Sequence, residues 1–244
     1  MIASLEETVE EFLEDLDYMS NPYFVQLENG DFTRADFLET QIQFYFAVDF
    51  FPRPMSALAA KIPTHARRLE VLENVFEEHG EGEPEEFHKN TFLEFLHRLG
   101  GVTKEDVESR ALWPEVRHFN TTLAGACVMD EYIVGVGMMG MIERMFVDIS
   151  AAIGQAVLDR GWLDDDELIH YNLHKELDLK HAEDFFEILE EPWKESERNQ
   201  YYIKQGLKLG GYAFNEMYEG LYKNRKNREQ ADRSTFTETS NTYF

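Results

Sequence analysis

The sequence predicts an all-helical bundle folded as one domain, and three observations carry that prediction. Apolar residues recur at three- and four-residue spacing along most of the chain, while the alternation that marks strands is scarce. Glycine, proline and asparagine cluster where they cut these periodic stretches into seven to eight helices. Apolar residues make up 43% of the 244 positions and aromatic ones 14%, enough for a substantial core. No Pro/Ser-rich linker and no repeat of fixed period divides the chain, so residues 1–222 read as a single bundle.

The elements follow in order. Leu5, Val9, Phe12 and Leu13 stripe a first helix that stops before Asn21 and Pro22. Thr33 reads as the N-cap of a second, with Asp36 at the capping-box position. That helix carries Phe37, Ile42, Phe44, Tyr45 and Val48 and ends near Pro52. A third starts near Thr64, runs through Leu69, Leu72, Val75 and Phe76, and must stop near His79, because Gly80, Gly82 and Pro84 follow. A fourth holds Phe87, Phe92, Phe95 and Leu96 and ends at Gly100 and Gly101. Pro114, suited to a first helical turn, opens a fifth that continues towards Met129. A long apolar sixth follows over 132–158 and is closed by Gly161. Asp164, Asp165 and Asp166 cap a seventh, which bears His170 and reaches Leu189. Pro192 opens the last, through Tyr201, Leu207, Leu209, Phe214 and Tyr218. Residues 223–244 turn polar and read as a mobile tail.

Composition narrows the function. Acidic residues outnumber basic ones 48 to 23, a formal charge of −25, and such a surface repels phosphate backbones, so no nucleic-acid partner is expected. Cys127 is the only cysteine, which excludes an intrachain disulfide and a thiolate metal cage. The acidic N-terminus lacks the basic start and apolar run of a signal peptide, and the apolar stretch 133–142 ends at Glu143 and Arg144. A soluble cytoplasmic protein with no membrane partner is the expectation.

The strongest chemical signal is His174-x3-Asp178-x2-His181. At about 100° per residue, Asp178 lies about 40° and His181 about −20° around the helix from His174, so all three leave from one stripe. Buried together, such groups require a partner, and a cation serves; a solvated face is the plainer alternative. Glu143 is a second candidate, an acid inside the apolar run GVGMMGMIERMFVDIS. Glu78 and His88 are a third, on either side of a break rich in Gly and Pro. Spacing alone does not choose Glu78 over Glu77, His79, Glu81, Glu85 or Glu86. Carboxylates and imidazoles drawn from separate helices are how bundles build di-iron sites, and a donor set of oxygen and nitrogen without thiolate suits iron or manganese.

The order Glu78-x9-His88, Glu143, His174-x3-Asp178-x2-His181 resembles the ligand pattern of the haem-oxygenase-like di-iron oxidases and oxygenases. The phrases NPYFVQLENGDFT, LENVFEEHGEG and FHKNTFLEFLHRLGGVT extend the likeness, which is nearest to the CADD-like branch, related to the PQQ-biosynthesis C proteins. The resemblance implies a haem-oxygenase-like bundle and assigns Glu78, rather than its acidic neighbours, as a ligand. It further implies ferrous iron at two positions, with manganese as a substitute, and O2 as co-substrate in the oxidation of a small organic molecule. Members that form para-aminobenzoate consume their own tyrosine and need a lysine on the Glu143 helix. Phe24, with Tyr23 beside it, and Ile153 stand at those positions, so an external substrate is expected. N-oxygenating members add a carboxylate where this chain has Pro52; Asp49 is the nearest acid. Phe44, Tyr45, Phe50, Phe51, Met138 and Met139 are candidate pocket walls, although such residues are more often plain core. The alternatives are a metal-free enzyme of PQQ-C or thiaminase type and a CADD-like interaction module. Expected partners are a small-molecule substrate and, at most, a second copy of the chain.

Overall fold

The computed structural model describes residues 1–30 and 32–231; within the helix Ile169–Glu195 the side chains at 169 and 172–178 lie outside the description. The described residues form eleven α-helices, short 3-10 turns and no strand: α1 Ala3–Leu16, α2 Pro22–Asn29, α3 Arg34–Phe50, α4 Pro52–Lys61, α5 His65–Glu78, α6 His88–Gly100, α7 Lys104–Glu108, α8 Pro114–Met129, α9 Tyr132–Asp159, α10 Ile169–Glu195 and α11 Glu197–Asn224. The eight expected helices are all present. The three additional ones, α2, α4 and α7, have eight, ten and five residues, too few turns to declare a period in sequence.

Local chemistry explains most boundaries. The Thr33 hydroxyl accepts from the Asp36 amide at the start of α3, as its position predicts. Asn21 caps α2 through the Tyr23 amide, with Pro22 in the first turn. Two expectations need correction. Pro192 does not open the last helix: α10 continues through it to Glu195, and α11 begins after Ser196, whose side chain accepts from the Asn199 amide. The acidic run at 164–166 caps a 3-10 turn, with Asp164 and Glu167 in a reciprocal capping box, and α10 starts only after Leu168.

The apolar helix α9 is the axis of the bundle. It packs along α10 and α11 and also meets α8, α4 and α2. Its glycines face three different neighbours. A Cβ at Gly135 would press on Leu58 and Cys127, one at Gly137 on the α11 backbone at Ile203 and Leu207, and one at Gly140 on Phe185 and Phe186 of α10. From the other side, Gly206 and Gly210 of α11 lie against the backbone of Val134 and Met138. Around this axis α3 pairs with α6, and α5 bridges α4 and α10.

Of the polar C-terminal segment, residues 223 and 224 complete α11. Beyond them, the Ala111 amide donates to the Glu229 carbonyl, and Arg228 pairs with Asp36 and Glu39. Residues 232–244 lie outside the described residues. No helix among the described residues is long and apolar enough to cross a membrane.

Candidate functional site

The connection between α5 and α6 brings two distant ligand candidates together. Glu78 is the last residue of α5 and His88 the first of α6. Between them the chain doubles back through two 3-10 turns, with positive φ at Gly80, Glu81 and Gly82 and an antiparallel bridge from His79 to Phe87. Gly80 is required here: a Cβ would lie 2.5 Å from the Glu86 carbonyl carbon, and its φ is +54°. The result sets the His88 Nδ1 at 3.1 Å from Glu78 Oε1, both side chains buried.

Glu143 arrives from α9. It is buried, while Arg144, one residue and about 100° further around the helix, turns outward to pair with Asp148 at 2.9 Å and Glu10 at 3.7 Å. The fourth group, His170, comes from the first turn of α10, where its Nδ1 lies 3.2 Å from the Thr91 hydroxyl and its ring meets the edge of Phe92. Glu78, His88, Glu143 and His170 are 7, 3, 4 and 1% exposed, and all four line one cavity of about 50 Å³. Phe44, Phe51, Phe119, Phe146 and Phe214 supply much of the remaining wall, with Ala47, Val48 and Ile142. No lysine, arginine or tyrosine lines it among the described residues.

His170 is the site residue that sequence reasoning passed over. The signal was present, because His170 precedes His174 by four residues and extends the same stripe by one turn. His181, at the far end, is fully buried but does not line the cavity: its Nε2 lies 2.5 Å from Glu77 Oε2. Burial raises the Glu77 carboxyl, yet the His181 hydrogen bond, with Lys180 beside it, outweighs this and holds it below the ordinary range. The adjacent acids Glu77 and Glu78 thus face different imidazoles. His174 and Asp178 lie on the backbone of α10 between His170 and His181, and their side chains are outside the described residues.

Of the candidate pocket walls, Phe44 and Phe51 line the cavity, and Tyr45, Phe50, Met138 and Met139 do not. One residue's rotation from Phe44 carries Tyr45 to an outer hollow beside Asp49 and Glu108, where burial and these two acids push its hydroxyl up to about 12. Phe50 is half-buried outside the lining, and the two methionines are packed in the interior, Met138 with its backbone against Gly210. Tyr23 is fully buried away from the cavity, its hydroxyl 2.8 Å from that of Thr40 and accepting from Gln41 at 2.7 Å. Tyr171 donates to the same Gln41 side chain. Phe24 and Ile153 are also buried.

The described donors suit a cation. Among the described residues they are oxygen and nitrogen groups taken out of water with no positive side chain in the cavity wall, and the His181 Nδ1 has no hydrogen-bond partner. Among the described residues alone, no three His, Cys, Asp or Glu side chains are grouped closely enough to hold a metal ion.

Comparison with known proteins places these residues in context. Residues 38–210 match the family model of an iron-containing redox enzyme. The 4-aminobenzoate synthase of Chlamydia pneumoniae is 21% identical over 184 residues, 75% of this chain and 80% of that protein. That of Nitrosomonas europaea is 23% identical over 198 residues, covering 77% and 78%. Among solved structures, a domain of unknown function with a heme oxygenase-like fold from Shewanella denitrificans superposes with a TM-score of 0.75 at 16% identity, covering 91% of this chain and 92% of that one. A CADD-like protein of unknown function from Nostoc punctiforme gives 0.75 at 14%, covering 92% and 98%. A TenA homologue from P. horikoshii gives 0.68 at 13%, covering 90% and 97%. These likenesses establish the heme oxygenase-like fold.

Proposed function

The chain belongs to the iron-containing redox enzyme family, and from that premise we propose that it is an O2-dependent oxidoreductase acting on an external small molecule at a non-haem di-iron centre. The observation that carries the reading is the convergence of buried Glu78, His88, Glu143 and His170 on an aromatic cavity, with no cationic side chain among the described residues of its wall. Glu78, His88, Glu143, His174, Asp178 and His181 would hold the metals, with His170 an added donor. Bound there, ferrous iron would supply O2 binding and the electrons for its reduction. The protein's own part is to fix the donors on packed helices and to keep water from the reacting substrate through the phenylalanine wall. For His181 to join, its Nε2 must leave Glu77 or its Nδ1 must serve.

The similarity to 4-aminobenzoate synthases raises self-consumption of a tyrosine as the competing outcome. The cavity wall favours an external substrate, since it has no tyrosine among the described residues and Tyr23 is held elsewhere by Thr40 and Gln41. Intact-mass spectrometry after ferrous loading and O2 exposure separates the two. An unaltered chain mass, with O2 uptake that rises when the right small molecule is added, is expected. Release of 4-aminobenzoate with loss of a tyrosine side-chain fragment, and no added substrate, would overturn this reading.

A further inference from the structure

Glu77 joins α5 to α10 at two consecutive residues, Lys180 and His181. Its Oε2 lies 2.5 Å from His181 Nε2, and its Oε1 accepts from Lys180 Nζ at 3.4 Å. Engaged at both oxygens, the carboxylate is fixed in its plane and fixes the imidazole ring in turn. An ionised carboxylate can only accept, so the ring nitrogen facing it carries a proton, and the other nitrogen of a neutral imidazole presents a lone pair. That other nitrogen, Nδ1, is buried with no hydrogen-bond partner among the described residues, in a side chain wholly out of water. A buried acceptor without a donor is costly. Lys180, 53% exposed, would tie the two helices by itself and gives no reason for a buried imidazole behind it. On α10 His181 also returns to within about 20° of His170, the face that carries His170 to the cavity.

We propose that Glu77 is a positioning residue of the metal site: by accepting from Nε2–H it fixes the tautomer and ring orientation of His181 and leaves Nδ1 as the metal-binding nitrogen. Adjacent acids at the end of α5 then divide two roles, Glu78 as a donor in the cavity and Glu77 as the holder of an imidazole on α10. A carboxylate behind a metal-bound imidazole orients the ring and strengthens it as a donor. The proposal rests on the di-iron reading for the metal, and on the Glu77–His181 geometry alone for the tautomer.

Two measurements on the full-length protein test this. Long-range 1H–15N NMR of the metal-free protein, at about pH 8.5 and so some two units above the ordinary imidazole value, reads which nitrogen of His181 carries the proton. Anaerobic titration with ferrous iron reads affinity in the same variants. The wild type should carry the proton on Nε2. Glu77→Ala should release the ring to a mixture of tautomers and weaken iron binding about 10- to 100-fold, the range for loss of such a partner. Glu77→Gln, whose amide oxygen still accepts from Nε2–H, should keep the tautomer and recover most of the affinity. Lys180→Met removes the ion pair between the helices and should move neither readout. A proton on Nδ1 in the wild type, an unaltered tautomer or iron affinity in Glu77→Ala, or a Lys180→Met variant that matches Glu77→Ala would overturn the proposal. Absence of iron from the folded wild type would overturn the metal role together with the di-iron reading, while the tautomer separately decides whether Glu77 holds His181.

Discussion

Asn74 lies one turn before Glu78 on α5, is buried, and has no hydrogen-bond partner for either amide atom among the described residues. An unsatisfied buried amide costs about 1–3 kcal/mol, so Asn74→Leu, close in volume, should stabilise the metal-free protein and raise Tm by about 2–4 °C per kcal/mol recovered. Thermal unfolding followed by circular dichroism checks this, and a lower Tm would show that Asn74 is satisfied by ordered water. Glu143 carries a related prediction. Two acids held in one cavity without a metal disfavour each other's charge, so Glu143→Gln should leave the helical signal intact and not lower the metal-free Tm. A loss of several degrees would assign Glu143 a structural partner instead. At this scale legibility was uneven. An acid inside an apolar helix announces itself, and Glu143 could be read directly. The pairing of Glu78 with His88 depends on three consecutive positive-φ residues, which spacing does not reveal, and the resemblance rather than the pattern selected Glu78. His170 was missed because the stripe was read from His174 onward.

Helix contacts supply the second scale. Gly206 and Gly210 let α11 approach α9 closely, and a Cβ at Gly206 would clash with the Val134 carbonyl oxygen. Backbone, unlike a side chain, cannot step aside, so Gly206→Ala should destabilise by about 2–3 kcal/mol. Gly125, in the interior of α8 with no neighbour within 4 Å of a Cβ, makes the control. Gly125→Ala should be neutral or stabilising by up to about 1 kcal/mol, on helix propensity alone. Chemical denaturation of the pair checks both signs, and equal effects would mean that the α9–α11 approach is not set by glycine. The eight long helices were legible because each repeats its apolar stripe over three turns or more. The boundary at Pro192 was not, because the Ser196 cap, four residues beyond the proline, sets the start of α11, and α10 runs through Pro192 to Glu195. The pocket walls were one-third legible: aromatic content marks the region, but which phenylalanine faces inward depends on how seven helices rotate against each other.

As a whole molecule, the bundle is a frame that gathers Glu78, His88, Glu143 and His170 from four helices around an aromatic chamber. The family and the heme oxygenase-like fold were both legible through the resemblance that the order of Glu78, His88, Glu143, His174, Asp178 and His181 carries, at about a fifth identity with the relatives. The reaction and substrate were not legible, since they depend on cavity shape and on the route in. Metal content tests the central claim most directly. Anaerobic reconstitution with ferrous iron, followed by removal of loose metal and iron counting, should give about two irons per chain, as for carboxylate-bridged bundles. The same count should fall towards zero in Glu143→Ala and Glu78→Ala with the fold retained. Absence of iron in the folded wild type, or one tightly held metal unchanged in Glu78→Ala and His174→Ala, would contradict the account.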